Sequence, residues 1–407
     1  MKFNSLVVAI FVCLFFQINP LLIADSNAEI QDLKKQVASL TSLVNKLSQR
    51  LEQIESEKTV ITSPPPSISK PIVRSAPVQS SVYQNQNPDI SVAGKAIGKK
   101  TTNSSDPIRN SIGLDEAELA MTKNISPYSK GALTLSFSDG GTKIEEAWAE
   151  FSHIFPVDDV EAKVGKFLVP CGFLNTVHDH DWPMVAKPLS MQYFFGDESF
   201  SENGLSMSKP INFSNKTYAK ANIDFLQGNN EQLFHGGNSR VMGGRIFTNT
   251  MFNDKDDLNF GVNFHQGSWD TSGDLRSSIA GADIMLRRRF SQFNRLCLFG
   301  EWLWNRREQA FGSDSFANGY YLNLLYKFKK IRDWHVGFEY DCSQKPSDTR
   351  YWSTVRSAYL GYWFTENDRV QFQLRNIHDP FQITTNNEAL IEIIWGMGPH
   401  KPHLANF

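Results

Sequence analysis

Residues 257–269 read DLNFGVNFHQGSW. Leu258, Phe260, Val262 and Phe264 fall on one phase, while Asn259, Asn263 and His265 take the other. A period of two is what a pleated strand imposes, because successive side chains point to opposite faces. The pattern recurs in DRVQFQLRNIHD (368–379), where Val370, Phe372 and Leu374 alternate with Arg369, Gln371, Gln373 and Arg375. In DWHVGFEYD (333–341), Trp334, Val336, Phe338 and Tyr340 oppose His335, Glu339 and Asp341. From Ile90 onward the hydrophobic pattern is that of half-buried antiparallel strands, broken by Gly, Asn, Asp and Pro.

Alternation alone does not say which face is inside. A soluble sandwich hides its apolar face between sheets, whereas a membrane barrel shows it to lipid. Here the segments are long, close to the roughly nine to eleven residues that cross a bilayer at a tilt. Aromatics gather at segment ends, as in EWLWN (301–305), NGYYLNLLYKF (318–328) and YLGYWF (359–364). Amphipathic rings settle at a lipid–water boundary in this way. Mean hydropathy is −0.35, which suits a polar interior. The expected class is therefore all-β, a transmembrane antiparallel barrel over residues 89–407.

Strands are expected near 90–99, 112–123, 130–138, 143–154, 159–168, 203–209, 216–226, 239–250, 257–267, 278–290, 294–305, 318–329, 332–342, 353–364, 368–377 and 388–397. Sixteen is an even number, as bacterial barrels require, and leaves an aqueous channel.

The first 88 residues have another character. Lys2, an apolar run from Leu6 to Phe16 and a small-residue site at Ser26-Asn27-Ala28 have the order of a secretory signal peptide over 1–28. Over 29–58, Ile30, Leu33, Val37, Leu40, Val44, Leu47, Leu51 and Ile54 recur in alternating steps of three and four. Such a seam is a coiled-coil signal, in the periplasm on this reading, and predicts a homo-oligomer, dimer or trimer. Residues 59–88 are rich in Pro, Ser and Asn and are expected to form an extended tether.

With 41 Lys and Arg against 43 Asp and Glu, no global field points to nucleic acid. The expected partners are outer-membrane lipid, a small hydrophilic solute or metal chelate, and further copies of the chain; no cofactor is expected. Cys171, Cys297 and Cys342 follow the signal segment, and both Cys171 and Cys342 fall near the outer rim, where one bridge is open to them.

Barrel termini normally face the periplasm, so the connection between the fifth and sixth strands is the third outer loop. It is by far the longest and contains VHDHDWPM (177–184). Connections of more than about fifteen residues inside a compact fold are usually functional. The acids Asp179, Asp181, Asp197, Glu198 and Glu202 are expected to form a constriction facing a basic wall of Arg287, Arg289, Arg295, Arg369 and Arg375. A transverse field of this kind sorts hydrated solutes. His178 and His180, like His400 and His403 near the end, are weak metal candidates; a structural zinc site needs about four convergent ligands, and none is expected. Neither G-x-S-x-G nor H-E-x-x-H occurs, and no enzymatic activity is expected.

The blocks NPDISVAGKAIGKK, VGKFLVPCGFLN…HDHDWP, FFGDES and WGMGPHKPHLANF resemble those of bacterial outer-membrane porin-like proteins with a periplasmic coiled coil. The terminal Phe407 is similar to the last residue of many such barrels. Within the group the chain looks most like the TonB-independent siderophore porin family. That resemblance implies passage of a ferric chelate through an unplugged sixteen-stranded barrel. Phosphate-selective porins, with lumen lysines, are the alternative, as is a closed structural or adhesive barrel.

If the seam is helical, Leu40→Pro removes a backbone donor and clashes with the preceding turn, at about 3 kcal/mol or more. Oligomers trapped by crosslinking are expected to fall to monomer, while the barrel still inserts and keeps its heat-modifiable migration.

Overall fold

A computed structural model describes residues 87–152, 159–230, 232–235, 240–329, 333–380, 385–399 and 407. The signal segment, the coiled-coil seam, most of the tether, His400 and His403 lie outside the described residues.

Sixteen strands follow one another: β1 (Asp89–Thr101), β2 (Ser111–Ser126), β3 (Ser129–Ser138), β4 (Gly141–Ser152), β5 (Glu161–Leu168), β6 (Ser201–Ser214), β7 (Thr217–Leu226) and β8 (Val241–Met251). Then come β9 (Asp256–Ser268), β10 (Arg276–Arg289), β11 (Arg295–Arg307), β12 (Ser315–Lys329), β13 (Asp333–Lys345), β14 (Asp348–Trp363), β15 (Asp368–His378) and β16 (Asn386–Met397). Each pairs antiparallel with its chain neighbours, and β1 closes on β16 from Val92↔Met397 to Thr101↔Glu388. Closure leaves no unpaired edge, the condition for a sheet to stand in lipid. Every expected segment overlaps one of these strands. Among the described residues the shortest reversals are two residues long, as at Asp139-Gly140 between the paired Ser138 and Gly141. A two-residue turn of this sort matches the right-handed twist of the strands it joins.

The burial is inverted relative to a soluble protein. On β9 Asn263 is 6% and His265 0% exposed, whereas Phe260 is 43% and Phe264 48% exposed. Leu322, Phe338, Leu360, Phe372 and Ile393 continue the exposed apolar band. Two aromatic belts bound it. At one rim Tyr326, Phe328, Trp334 and Tyr362 run in contact, with centroids 5.7, 6.5 and 4.3 Å apart in turn. At the other, Tyr320 lies 6.4 Å from Tyr340 and 6.3 Å from Trp352, and Trp304 lies 6.1 Å from Phe316. An apolar band between two aromatic girdles is the outer surface of a membrane barrel.

The bridge left open between Cys171 and Cys342 does not form. Cys171, Cys297 and Cys342 are all free. Cys171 sits in the interior, bonded by Asn263, while Cys342 follows the inward Asp341 and so points to the opposite face of β13. The barrel wall separates the two thiols. Phe407 lies beyond the last strand, whose end matches the expected one near 397. β16 stops at Met397, and the Phe407 ring is fully buried in the lumen, 4.7 Å from Phe299 and 5.2 Å from Phe173.

Val262 lies mid-strand on the lipid face. Val262→Arg is expected to cost about 2–4 kcal/mol, the penalty for a cation at the bilayer midplane. Val262→Leu is expected to be near neutral. Urea titration of the two variants in lipid vesicles measures the difference.

Candidate functional site

The connection 169–200 enters the barrel. It carries two short 3-10 turns, Leu174–Thr176 and Asp179–Asp181, and one helix, α1 (Leu189–Phe195). Its apolar side chains Val169, Leu174, Trp182, Met184, Met191, Phe194, Phe195 and Phe200 are buried against Phe299, Leu303, Tyr321, Leu325 and Tyr359 of the wall. Burying one such side chain contributes about 1.5–3 kcal/mol, so the segment is held against the wall as a packed layer. The lumen is therefore not wet throughout. Strands β10 to β12 place Met285, Phe299 and Leu325 inward, which makes one side of the interior a dry core. The sequence signal for this is apolarity on both phases, as in RLCLFGEWLWNRR (295–307).

Polar bonds fix the segment's path. Near its start, Arg245 donates to the Gly172 carbonyl while its other guanidinium nitrogen lies 2.6 Å from Asp283. Glu301 Oε1 accepts the amides of Phe173 and Leu174, both at 2.7 Å. Gly172 has φ +79°, and any Cβ there would collide with the Glu301 carboxylate. Only glycine allows the approach. Asn175 Nδ2 then bonds the carbonyls of Val169 and Phe200 at 2.8 and 3.0 Å, tying the two ends of the excursion together.

The chain next crosses to the far wall. Asp179 pairs with Lys95 of β1, which also meets Asp115 at 2.9 Å and Glu116 at 3.5 Å. His178 Nδ1 lies 3.2 Å from Glu118 and 3.5 Å from Glu145, and its Nε2 lies 3.3 Å from Glu146. His180 stacks on His178 with centroids 5.6 Å apart. Consecutive acids reach one face because the ladder slips a residue twice: between Lys95 and Ala96 on the β1–β2 pair, and between Thr134 and Leu135 on the β3–β4 pair. The extra residues are Asp115 and Glu145, and a bulge re-aims a side chain in this manner.

The return path runs along β13 to β15. Arg369 Nη2 donates to the His180 carbonyl at 2.7 Å, and His335 Nε2 lies 3.1 Å from the Pro183 carbonyl. Gln373 accepts the Ala186 amide at 2.8 Å, and Asp341 accepts the Ser190 amide at 3.1 Å. Gly319 makes room for α1, since a Cβ there would meet Phe194 and Ser190 at 3.0 Å.

The electrostatics follow from this packing. Burial disfavours an imidazolium at His178, yet the hydrogen bonds it donates to Glu118, Glu145 and Glu146 carry its pKa well above the ordinary value. Burial also opposes ionisation of Asp179, and Lys95 with the two imidazoles overcomes it and holds the carboxyl below its usual range. Lys187 behaves oppositely: burial pushes it down to about 8, against the pull of Asp179, Asp197 and Glu198.

The expected acids and basic wall are arranged differently. Asp179 and Asp181 are in the inserted segment, but Asp179 faces Lys95. Asp197 and Glu198 sit at its exposed end, where Glu198 meets Lys143. Glu202 is not a loop residue; it lies on β6 and accepts the amides of Gly228 and Asn230 at 3.1 and 2.7 Å. Of the five arginines, Arg287 pairs with Asp257 and Arg375 with Glu388, both wall to wall. Arg289 and Arg295 end and begin their strands at the opposite rim, and Arg369 touches the segment through a carbonyl while lying 3.8 Å from Glu392. Lys95, Arg245, Glu301 and Asp341 are the anchors missed from sequence. Each lies on the inward phase of its strand, Arg245 as the single charge of β8 and Asp341 beside the inward Glu339 of β13.

Two cavities flank the inserted segment. One, of about 530 Å³, opens beside α1 and contains Lys99, Asp106, Lys345, Arg375, Asp379 and Glu388. The other, of about 290 Å³, lies towards β4 to β8 and contains Glu161, Lys163, Thr176, Ser206 and Lys220.

The fold is that of bacterial outer-membrane porins. A loop-deleted OmpT of Vibrio cholerae aligns over 76% of this chain and 99% of its own, with TM-score 0.53 and 11% identity. An anion-selective porin from Comamonas acidovorans covers 76% and 100%, at 0.52 and 12%. The channel DcaP of Acinetobacter baumannii covers 76% and 96%, at 0.52 and 8%. By sequence, an uncharacterized protein of Aquifex aeolicus (strain VF5) is 26% identical over 353 residues, spanning 72% of this chain and 70% of its own. No family model matches.

Hydrogen bonds to a charged group contribute about 1.5–3 kcal/mol each. Glu301→Ala is expected to speed amide exchange in a peptide spanning 170–176 by about tenfold to a hundredfold, a change of about 1.4 kcal/mol being tenfold. Exchange in the β9 and β10 strands is expected to stay as in the parent chain.

Proposed function

We propose that this chain is an outer-membrane channel whose bore is set by the inserted segment 169–200, passing small hydrophilic solutes down their gradient. The observation that carries the reading is the combination of a closed sixteen-strand wall with polar residues inward and a segment anchored across its interior. The outer membrane is the compartment this implies, with the coiled coil in the periplasm drawing copies of the chain together. The reading is of a conduit and not of an enzyme, since His178, Asp179 and the carboxylates around them are engaged in holding the segment.

A ferric siderophore is the finer proposal for the solute. It rests on the family resemblance of the sequence blocks, and the cavity of about 530 Å³ beside α1 is of the size that holds a ligand of several hundred daltons. Anion selectivity has less support. The cations of that cavity already have acids nearby: Lys99 lies 2.6 Å from Asp106, Arg375 2.9 Å from Glu388 and Lys345 3.9 Å from Asp379. Paired charges leave little net field to concentrate phosphate.

Planar-bilayer recording of the purified, folded chain is expected to show stepwise conductance with weak ion selectivity. Replacing 175–200 by a short Gly-Ser linker is expected to raise single-channel conductance severalfold. Absence of steps from the parent chain, or equal conductance of the two, would favour a closed structural barrel. Ferric chelate added to one side is expected to produce concentration-dependent blocking events in the parent channel.

A further inference from the structure

We propose that Glu118, Glu145 and His178 form a binding site for one divalent transition-metal ion, pinning the inserted segment to β2 and β4. It goes beyond the transport reading and does not depend on which solute passes.

One oxygen from each carboxylate and an imidazole nitrogen lie within 4.8 Å of one another. His178 Nδ1 carries at most one hydrogen, yet Glu118 Oε2 at 3.2 Å and Glu145 Oε2 at 3.5 Å both approach it. The ring's own hydrogen therefore satisfies only one of the two carboxylates. A cation between the three atoms compensates both carboxylates at once. The spacing also suits one. Metal–ligand bonds of about 2.0–2.2 Å in a tetrahedral set place neighbouring ligand atoms about 3.3–3.6 Å apart. The two nitrogen–oxygen separations lie close to that interval.

The surroundings have the form of an outer shell. Glu146 Oε2, 3.3 Å from His178 Nε2, is placed to accept the ring's other N–H and so direct Nδ1 to the ion. His180 Nδ1 lies 3.5 Å from the same Glu118 oxygen. Lys95, the neighbouring cation, is turned to Asp115, Glu116 and Asp179. Access is through Glu145 and His178, whose side chains are 32% and 21% exposed, whereas that of Glu118 is 6% exposed. That leaves a fourth position for water. One imidazole with two carboxylates suits zinc, manganese or ferrous iron more than calcium. Three elements supply the ligands, and the bulge at Glu145 is what turns that residue inward beside Glu146.

The test uses untagged full-length chain folded in detergent, stripped with chelator and titrated with zinc chloride by calorimetry. One zinc per chain is expected. Glu118→Gln, Glu145→Gln and His178→Gln are each expected to weaken binding at least a hundredfold, with heat-modifiable migration confirming that the barrel is intact. Glu146→Gln is expected to weaken it about tenfold to a hundredfold, as outer-shell changes do. A chain with His400 and His403 both changed to Gln is expected to bind as the parent does. Zinc-edge X-ray absorption of the parent adduct reads the ligands without any variant and is expected to show a single imidazole among oxygens. The proposal is overturned if the folded parent takes up no zinc, if the intact Glu and His variants bind as well as the parent, or if the spectrum shows sulfur or several imidazoles.

Discussion

A backbone crossing lipid has no water to bond, so each N–H and C=O must find its partner within the protein. In this chain the closure of β1 on β16 meets that demand, and the rest of the molecule depends on it. Once the sheet is a ring, the pleat decides the rest. Every second side chain faces hydrocarbon and the others face an enclosed space. Phe260 and Phe264 are exposed because lipid is their solvent, and Asn263 and His265 are buried because the interior is theirs. The two aromatic belts mark where one solvent gives way to the other.

A sixteen-strand ring is wide enough to hold water, yet part of this interior is dry. The inserted segment brings aromatic and methionine side chains to a wall that carries its own apolar residues on the inward phase. Apolar packing supplies the adhesion, while Arg245, Glu301, Asp341 and Gln373 specify the path by bonding particular backbone groups. The division of labour is general: burial is non-directional and hydrogen bonds select geometry. With Arg287, Arg369 and Arg375 set beside wall acids, the segment is held in place by packing and backbone bonds more than by those arginines.

The acidic and histidine-rich corner at β2 and β4 is built differently. There the segment is held by charge, and two bulges concentrate carboxylates that a regular strand would send to opposite faces. Bulges in a ring that needs regular pairing are tolerated at a cost to the ladder, and they occur where side chains must be re-aimed. The result is a corner where His178 and Lys95 stand among carboxylates of β2, β4 and the inserted segment.

Strand number, placement and facing were legible in the amino-acid order, because a period of two and the solvent on each side of a pleat are local matters. The DLNFGVNFHQGSW stretch alone states that Phe260 and Asn263 live in different surroundings. The length of the connection between β5 and β6 likewise set it apart from the other turns. Which groups it meets was decided only by the closed ring, which brings β1, β2 and β4 opposite β8 to β11 and sets β13 to β15 between them. Asp179 finds Lys95 and His178 finds Glu118 across that interior, not the five arginines expected there: Arg287, Arg369 and Arg375 lie beside acids of adjacent strands, and Arg289 and Arg295 sit at the opposite rim. Alternation states which face a side chain takes; only the register of a closed sheet, with the slips at Asp115 and Glu145, states what stands across from it.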